Sequence, residues 1–187
     1  MPPRTKVTKD GILQAAVDLV RQHGEQGLNA RTVAATVHCS TQPVFSNFAT
    51  MEELRFAVVG KANELFGKYI ENEVKQGEYP DYKASGMAYI RFAKEERELF
   101  KLLYMRDRTG EVIPETDEHW DDMEAFVTRN TGLPEGRAKL FHLEMWAFVH
   151  GIASLVATRF LPLDFDLISQ MLTDAYQGLR KRYEEES

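Results

Sequence analysis

Hydrophobic residues recur with the period of a helix in the stretch from Gly24 to Leu54. Alanine and valine fall at i, i+3, i+4 and i+7 between Ala30 and Val37, a spacing that predicts a two-turn helix. Asn29 precedes it and can accept hydrogen bonds from the free N–H groups of the first turn. The stretch therefore opens with a short amphipathic helix whose predicted N-cap is Asn29.

A second short helix is predicted after a three-residue turn. Ser40 or Thr41 can cap it, and Pro43 then lies in its first turn, where a proline costs little because the N–H groups have no intrahelical partner. Val44 and Phe48 give this helix an inward apolar stripe. Two helices joined by such a turn form the helix-turn-helix unit, whose second helix enters the major groove of DNA. An ordinary helical hairpin in a core has the same periodicity and is the alternative.

The outward positions of the second helix carry small or amide-bearing side chains and almost no charge, which suits them to the edges of bases. These positions are Thr41, Gln42, Pro43, Ser46 and Asn47. Gln42 has an amide that can pair with N6 and N7 of adenine, so it is the predicted base reader.

Helical periodicity continues through the rest of the chain, and no stretch predicts a strand. Thr8 can cap a first helix that Gly24 ends, and Thr50 with Glu53 forms a capping box for a long helix. We expect an all-α fold of about nine helices.

The helices group into two predicted domains. Residues 1–50 form a three-helix helix-turn-helix domain, and residues 51–187 form a larger helical domain. The long helix 51–76 belongs to the second domain and links the two.

The most apolar predicted helix covers 138–160, where hydrophobic residues occupy almost the whole circumference. A helix that is apolar on all sides must be buried on all sides, here by its own domain and by another subunit. Polar residues such as His142 and Glu144 interrupt it, so we do not expect a membrane span. Together with the last helix, 165–183, it predicts a twofold dimer through a four-helix bundle, which a charge at Ile168 would disrupt.

The net charge of −6 is unusual for a DNA-binding protein, but it is unevenly distributed. Residues 1–60 carry six lysines and arginines against five acidic residues, so their net charge is +1 and that of residues 61–187 is −7. Backbone N–H groups and hydroxyls also contact phosphates, so this mild asymmetry is compatible with DNA binding. The single cysteine, Cys39, makes no internal disulfide, and no secretory leader is recognisable, which predicts a cytoplasmic protein.

The N-terminal region, roughly residues 8 to 60, resembles the DNA-binding domain of the TetR (tetracycline repressor) family of transcription regulators. The resemblance rests on Gly24, Asn29-Ala30-Arg31-Thr32-Val33-Ala34, His38-Cys39-Ser40, Val44-Phe45-Ser46-Asn47-Phe48 and Met51-Glu52-Glu53-Leu54. Three residues depart from the family pattern. His38 replaces a turn glycine, and histidine tolerates the positive φ that such a turn requires. Phe45 replaces a tyrosine and Met51 a lysine, so two side chains that usually contact phosphates are missing.

The resemblance implies a ligand-responsive homodimer, usually a repressor, that binds a palindromic operator in double-stranded DNA through residues 41–48. An unidentified small-molecule effector in the C-terminal domain would shift helix 51–76 and so change the separation of the two recognition helices. The implied DNA-contacting residues are Arg4, Lys6, Arg31, Thr32, Ser40, Thr41, Gln42, Pro43, Phe45, Ser46 and Asn47.

A second motif lies in the predicted helix 138–160. The segment Trp146-Ala147-Phe148-Val149-His150-Gly151 resembles the Trp-x-x-x-His-Gly signature of one class of TetR-like ligand-sensing domains. Trp146 and His150 are one turn apart and share a face, and Gly151 can admit a neighbouring backbone. His150 is either a core histidine bonded to a carbonyl or hydroxyl, or a residue that faces a ligand.

Aromatic residues are the candidates for an apolar effector site, although each of them can equally be ordinary core. With the family as a guide, the candidates are Phe66, Phe92, Phe100, Tyr104, Trp120, Phe126, Trp146 and His150.

Two other classes of function compete with a regulator. The sequence has no glycine-rich phosphate loop, nucleophile elbow or metal-ligand spacing, so we expect no enzymatic activity, metal site or cofactor. A helical adaptor that binds proteins through the same surfaces, without sequence-specific DNA binding, is the remaining alternative.

Overall fold

The computed structural model of the protein describes residues 7–107, 109, 118–134 and 136–185, with the backbone alone at 118–121. The described residues form nine α-helices and no strand: α1 Lys9–His23, α2 Ala30–Thr36, α3 Thr41–Asn47, α4 Met51–Gln76, α5 Asp81–Glu95, α6 Arg97–Tyr104, α7 Glu118–Thr131, α8 Arg137–Ala157 and α9 Phe165–Glu185. A 3-10 turn, Glu25–Gly27, follows α1. The predicted all-α fold is confirmed.

The chain divides into two compact units. The N-terminal unit comprises the residues up to Gly67 together with Glu96–Arg106, and the C-terminal unit comprises Lys68–Glu95 and the residues from Asp107 onward. The continuous helix α4 therefore begins in one unit and ends in the other, and α6 belongs with the first helices. This division into compact units differs from the predicted division into a DNA-binding domain, 1–50, and a second domain, 51–187. The predicted functional boundary at residue 50 stays a prediction.

Local capping explains where α1 begins and ends. The Thr8 hydroxyl oxygen accepts a hydrogen bond from the Gly11 N–H at 3.1 Å, as the sequence predicts. Gly24 has φ 70°, in the left-handed region that glycine adopts without steric cost, and its N–H donates to the Val20 carbonyl. Between these caps, α1 buries an apolar face that includes Ile12 in the core of the N-terminal unit.

The predicted inward stripes of α2 and α3 are confirmed. Val33 of α2 and Val44 of α3 are completely buried, and Phe48, directly after α3, is 1% exposed. Both helices pack against α1, so three short helices share one core.

α6 completes the N-terminal unit by packing against α1. The Arg21 guanidinium donates two hydrogen bonds to the Glu96 carboxylate, at 2.8 and 2.9 Å, and this pairing raises the pKa of Arg21. Leu99 and Phe100 of α6 are completely buried. The sequence gives no sign that α6 belongs with the first three helices.

α5 and α8 form the centre of the C-terminal unit, and α7 and α9 pack beside them. Gly86 allows a close approach, because a Cβ at this position would lie 3.3 Å from Leu172 and 3.6 Å from Val149. One buried cluster of the unit contains Val127, Leu133, Ala138, Phe141, Met145 and Tyr183.

α8 differs from its prediction in two respects. It ends at Ala157, three residues before the predicted end, and Arg159 then adopts φ 58°. It is also not buried on all sides within the subunit, because Leu140 is 51% exposed and Trp146 is 42% exposed. By length and apolar composition α8 is the one described helix that could cross a membrane, a test that core helices of soluble proteins also pass.

Ile168 was predicted to lie in the dimer interface, and its position in the structure corrects this prediction. Ile168 has no exposed surface and lies in the core of its own subunit. A charge at this position would disturb the packing of α9 within the subunit, so it cannot test a dimer interface specifically.

Candidate functional site

The start of α2 is held by a reciprocal capping box. The Asn29 side-chain oxygen accepts hydrogen bonds from the N–H groups of Arg31 and Thr32, both at 3.1 Å, which confirms the predicted cap. The Thr32 hydroxyl accepts from the Asn29 N–H at 3.2 Å and donates to the Gly27 carbonyl at 2.7 Å. The structure thus gives Thr32 a positioning role at the start of α2, which the sequence analysis missed although the spacing of Asn29 and Thr32 indicates it.

The turn between α2 and α3 has the predicted left-handed residue. His38 has φ 53°, and the next N–H, that of Cys39, donates to the Ala34 carbonyl at 2.9 Å. Histidine therefore occupies the turn position for which the family pattern has glycine, and the turn directs the chain into α3.

α3 has one buried side and one exposed side. Val44 lies in the core, whereas Gln42, Phe45 and Ser46 are exposed. Because these three residues are spaced at i, i+3 and i+4, they form a single outward face. The face carries no charge, as the sequence predicts.

Two polar side chains of α3 also bond to the backbone of the helix. The Ser46 hydroxyl donates to the Gln42 carbonyl at 2.9 Å, and the Asn47 amide donates to the Pro43 carbonyl at 2.8 Å. Their remaining oxygen lone pairs can accept hydrogen bonds. Gln42 is exposed on the same face.

α4 begins at a capping box that differs slightly from the predicted one. The Thr50 hydroxyl oxygen accepts from the Glu53 N–H at 3.0 Å, as predicted, but the Glu53 carboxylate accepts from the Ala49 N–H at 2.7 Å rather than from that of Thr50. Glu53 also pairs with Lys9 of α1 at 3.5 Å. Met51, the first residue of α4, is partly exposed.

The predicted DNA-contacting residues lie at or near the outward side of α2 and α3 where they are described. Arg31, Ser40, Gln42, Phe45 and Ser46 are exposed, and the other described members are partly exposed: Thr32, Thr41, Pro43 and Asn47. Arg4 and Lys6 lie outside the described residues. The contact of these residues with DNA stays a prediction.

The predicted effector residues fall into several groups rather than one site. In the N-terminal unit, Phe66 and Phe100 both contact Tyr104, with ring centroids 6.2 and 5.2 Å apart. In the C-terminal unit, Phe92 packs edge-on against Tyr69 at 5.4 Å. The Trp120 side chain lies outside the described residues.

A second aromatic group of the C-terminal unit is arranged around Tyr82. Its ring lies 6.1 Å from those of Phe126, Phe141, His142 and Tyr176, and its hydroxyl is 3.1 Å from Nδ1 of His142. Burial raises the pKa of Tyr82, so the hydroxyl is neutral at physiological pH. Of this group, only Phe126 is among the predicted effector residues.

Trp146 and His150 share a face, as the motif predicts. Their rings are stacked with centroids 5.4 Å apart, and Nδ1 of His150 is 2.9 Å from the Tyr89 hydroxyl. Burial lowers the pKa of His150. Of the two alternatives, the Tyr89 contact favours a histidine bonded to a buried hydroxyl. Gly151, in contrast, is exposed, and a Cβ there would meet nothing within 4 Å, so no close approach within the chain requires glycine.

A buried ion pair joins α4 and α5 inside the C-terminal unit. Glu73 is 2% exposed and accepts two hydrogen bonds from the Arg91 guanidinium, at 2.9 and 3.3 Å. Arg91 and Lys94 both lie over the Phe165 ring, 4.3 and 4.5 Å from its centroid. This group fixes the last turns of α4 to α5 and to the start of α9.

A cleft of about 440 Å³ lies in the N-terminal unit. It is lined by Gly24, Glu25, Gln26, Arg55, Glu98 and Lys101. Its charged side chains pair with one another, Arg55 with Glu25 at 2.9 Å and Lys101 with Glu98 at 2.6 Å. None of the predicted effector residues lines it. Within the described residues, no three histidine, cysteine or carboxylate side chains are placed to hold a metal ion.

The family is established by a match to the C-terminal half of the chain. The model of the tetracyclin repressor-like C-terminal domain matches residues 82–176, just over half of the 187 residues. The chain therefore belongs to the TetR family, whose members are DNA-binding transcriptional regulators. The matched range includes Trp146 and His150, but the particular class of sensing domain that their motif indicates stays a prediction.

Solved structures show the same fold over almost the whole chain. A TetR-like transcriptional regulator from Rhodococcus sp. RHA1 has a TM-score of 0.67 and 15% identity, covering 96% of this chain and 97% of that one. A TetR family member from Streptomyces coelicolor A3 has a TM-score of 0.60 and 23% identity, covering 88% and 95%. The multidrug binding protein EbrR, solved with imidazole, has a TM-score of 0.60 and 23% identity, covering 88% and 87%. No curated protein is significantly similar in sequence.

Proposed function

We propose that this protein is a dimeric repressor that binds an inverted-repeat operator through α3 and responds to a small-molecule effector bound in its C-terminal unit. The observation that carries the proposal is the outward face of α3. This face is exposed and uncharged, and a capped α2 and a left-handed turn hold it on a buried core. Membership of the TetR family makes DNA the expected partner of such a face.

Within this proposal, Gln42 recognises a base and Arg31 contacts a phosphate, because both side chains are exposed on adjacent helices. Arg4 and Lys6 contribute further phosphate contacts from the N-terminal arm. Thr32 acts indirectly, since its hydroxyl already donates to the Gly27 carbonyl. Few cations take part, so electrostatics contributes less to affinity than in a strongly basic DNA-binding protein.

The exposed apolar side of α8 supports a dimer. Leu140, Leu143, Ala147 and Gly151 follow one another at helical spacing, and all four are exposed in the single subunit. Leucines exposed to this extent on one side of a helix favour burial against a second copy. The proposed interface therefore uses α8 and α9, and Gly151 lets the partner helix approach closely.

The effector is proposed to be a small apolar or aromatic molecule. The relative EbrR is a multidrug binding protein, solved with imidazole. In this chain, aromatic rings that could pack against such a molecule lie around Tyr82 and in the stacked pair of Trp146 and His150. The effector would act by binding one of two conformations more tightly, so that the spacing of the two α3 helices shifts with its concentration.

Selection of genomic DNA fragments on the purified protein tests the proposal. A regulator retains a few fragments that share an inverted repeat, and α3 variants lose those fragments. A helical adaptor retains DNA without a common sequence, and this outcome would remove the proposal. A cytoplasmic location, where the DNA is accessible, is part of the same proposal.

A further inference from the structure

The ring of Phe45 is exposed on a surface where an apolar group has no packing role. Phe45 is 46% exposed, whereas Phe48, three residues later, is 1% exposed and lies in the core. α3 has seven residues, and Phe45 is the one large hydrophobic side chain on its outward face. Its neighbours on that face, Gln42 and Ser46, are polar.

Phe45 cannot hydrogen-bond to DNA, because phenylalanine has neither a donor nor an acceptor. A phosphate contact of the kind that tyrosine makes is therefore excluded. What the ring can do is bury apolar surface. On the major-groove edges of the four bases, the apolar group is the C5-methyl of thymine, and phenylalanine is among the side chains suited to it.

The spacing of Phe45 and Gln42 on α3 indicates how many base pairs separate the bases that the two side chains can reach. The two residues are spaced at i and i+3, so their Cβ atoms are about 5–6 Å apart on the helix surface. Successive base pairs are separated by about 3.4 Å. The ring and the amide therefore reach bases one or two steps apart. The Ser46 hydroxyl donates to the Gln42 carbonyl, so its proton is directed away from the bases.

We infer that Phe45 determines specificity by packing against the C5-methyl of a thymine, one or two base pairs from the base that Gln42 recognises in each half-site. The inference rests on the proposed DNA-binding function and specifies part of the operator chemistry. It gives the exposed ring at this position a function in base recognition.

Deoxyuridine substitution tests this inference, since uracil differs from thymine only by the missing methyl. Each thymine of the selected operator is replaced symmetrically in both half-sites, and affinity is measured by fluorescence anisotropy. One methyl contributes about fourfold, so symmetric replacement at the contacted position should weaken binding about fifteenfold. Phe45→Ala should bind the normal operator about as weakly as the wild-type protein binds the operator with uracil at the contacted position. The variant should not distinguish thymine from uracil there. Phe45→Tyr keeps the ring and should still distinguish them.

Phe56 of α4 provides the matched control, because its ring is 79% exposed but lies outside the recognition helix. Phe56→Ala should retain the full difference between thymine and uracil. The inference is overturned if the wild-type protein tolerates uracil at every position, or if Phe45→Ala still makes the distinction. If no defined DNA is retained at all, the proposed function itself fails and the inference falls with it.

Discussion

Thr32 and Gln42 show how similar polar residues of one motif acquire different roles through their surroundings. The Thr32 hydroxyl donates to the Gly27 carbonyl and accepts from the Asn29 N–H, so it is used in fixing α2. The Gln42 side chain is exposed on the outward face of α3. Thr32 is therefore a positioning residue, and base recognition by Gln42 stays a prediction.

Replacing Gln42 with alanine should weaken operator binding by about 1–3 kcal/mol and relax the sequence preference at one position of each half-site. The reason is the loss of a bidentate amide contact to adenine. Anisotropy with a panel of operator variants measures both effects. Thr32→Val is the control: it should lower the free energy of unfolding and weaken binding to all variants equally. A uniform loss for Gln42→Ala as well would show that Gln42 recognises no base.

Local rules explain which single residues could be predicted from sequence. The caps at Thr8 and Asn29, the stop at Gly24 and the positive φ of His38 depend on neighbours within a few residues. The contact between Tyr89 and His150 could not be predicted, because the residues are 61 positions apart and meet only through the packing of α5 on α8.

At the scale of elements, the ion pair of Glu73 and Arg91 joins α4 to α5. Glu73 is almost completely buried, and a buried carboxylate is costly unless it is paired. Tyr69 adds a hydrogen bond to Glu95 at 2.8 Å and an edge contact with Phe92. The last turns of α4 are therefore fixed to α5.

Arg91→Ala should lower the free energy of unfolding by about 2–3 kcal/mol, because Glu73 loses its partner. Lys94→Ala is the matched control, since Lys94 lies over the same Phe165 ring but makes no pair with Glu73. It should cost about 0.5–1 kcal/mol. Urea unfolding measures both. Equal losses for the two variants would mean that the ring contact, and not the ion pair, stabilises this junction.

We expect the start of α4 to influence the salt dependence of DNA binding. Met51 occupies a position where the family pattern has lysine, so Met51→Lys should steepen the log–log salt slope by roughly one unit per subunit and tighten binding to specific and non-specific DNA alike. Phe45→Tyr adds a hydroxyl without charge, so it should tighten binding with nearly the same slope as wild type. An unchanged slope for Met51→Lys would show that residue 51 does not face the phosphates.

Periodicity predicted the helices well because each buries one face, but it could not show what covers that face. α6 has a strongly apolar side, yet only the structure shows that this side packs on α1. In α8 the apolar residues cover nearly the whole circumference, and no pattern separates those packed within the subunit from those left for a partner. For the same reason Ile168 was wrongly placed in the interface, although it lies in the subunit core.

For the whole molecule, the proposed function requires that operator binding depends on dimerisation. Leu143→Glu would bury a carboxylate at the twofold interface, and the dimer dissociation constant should rise about a hundredfold, with a matching loss of operator affinity. Asn72→Glu introduces the same charge at an exposed position of α4 and should leave the dimer intact. Sedimentation measures both variants. An unchanged dimer for Leu143→Glu would move the interface away from this side of α8.

In the proposed complex, the two α3 helices of a dimer lie in the two halves of one operator. Cys39 permits a direct measurement, since it is the single cysteine of the chain and lies in the turn before α3. An iron chelate attached to Cys39 generates hydroxyl radicals that cleave the nearest DNA, and Cys39→Ser treated in the same way is the control. We expect two cleavage patches, one beside each half-site and related by the operator dyad. Labelled protein that binds the operator but cleaves it on one side only, or not at all near the half-sites, would rule out this arrangement of the two α3 helices.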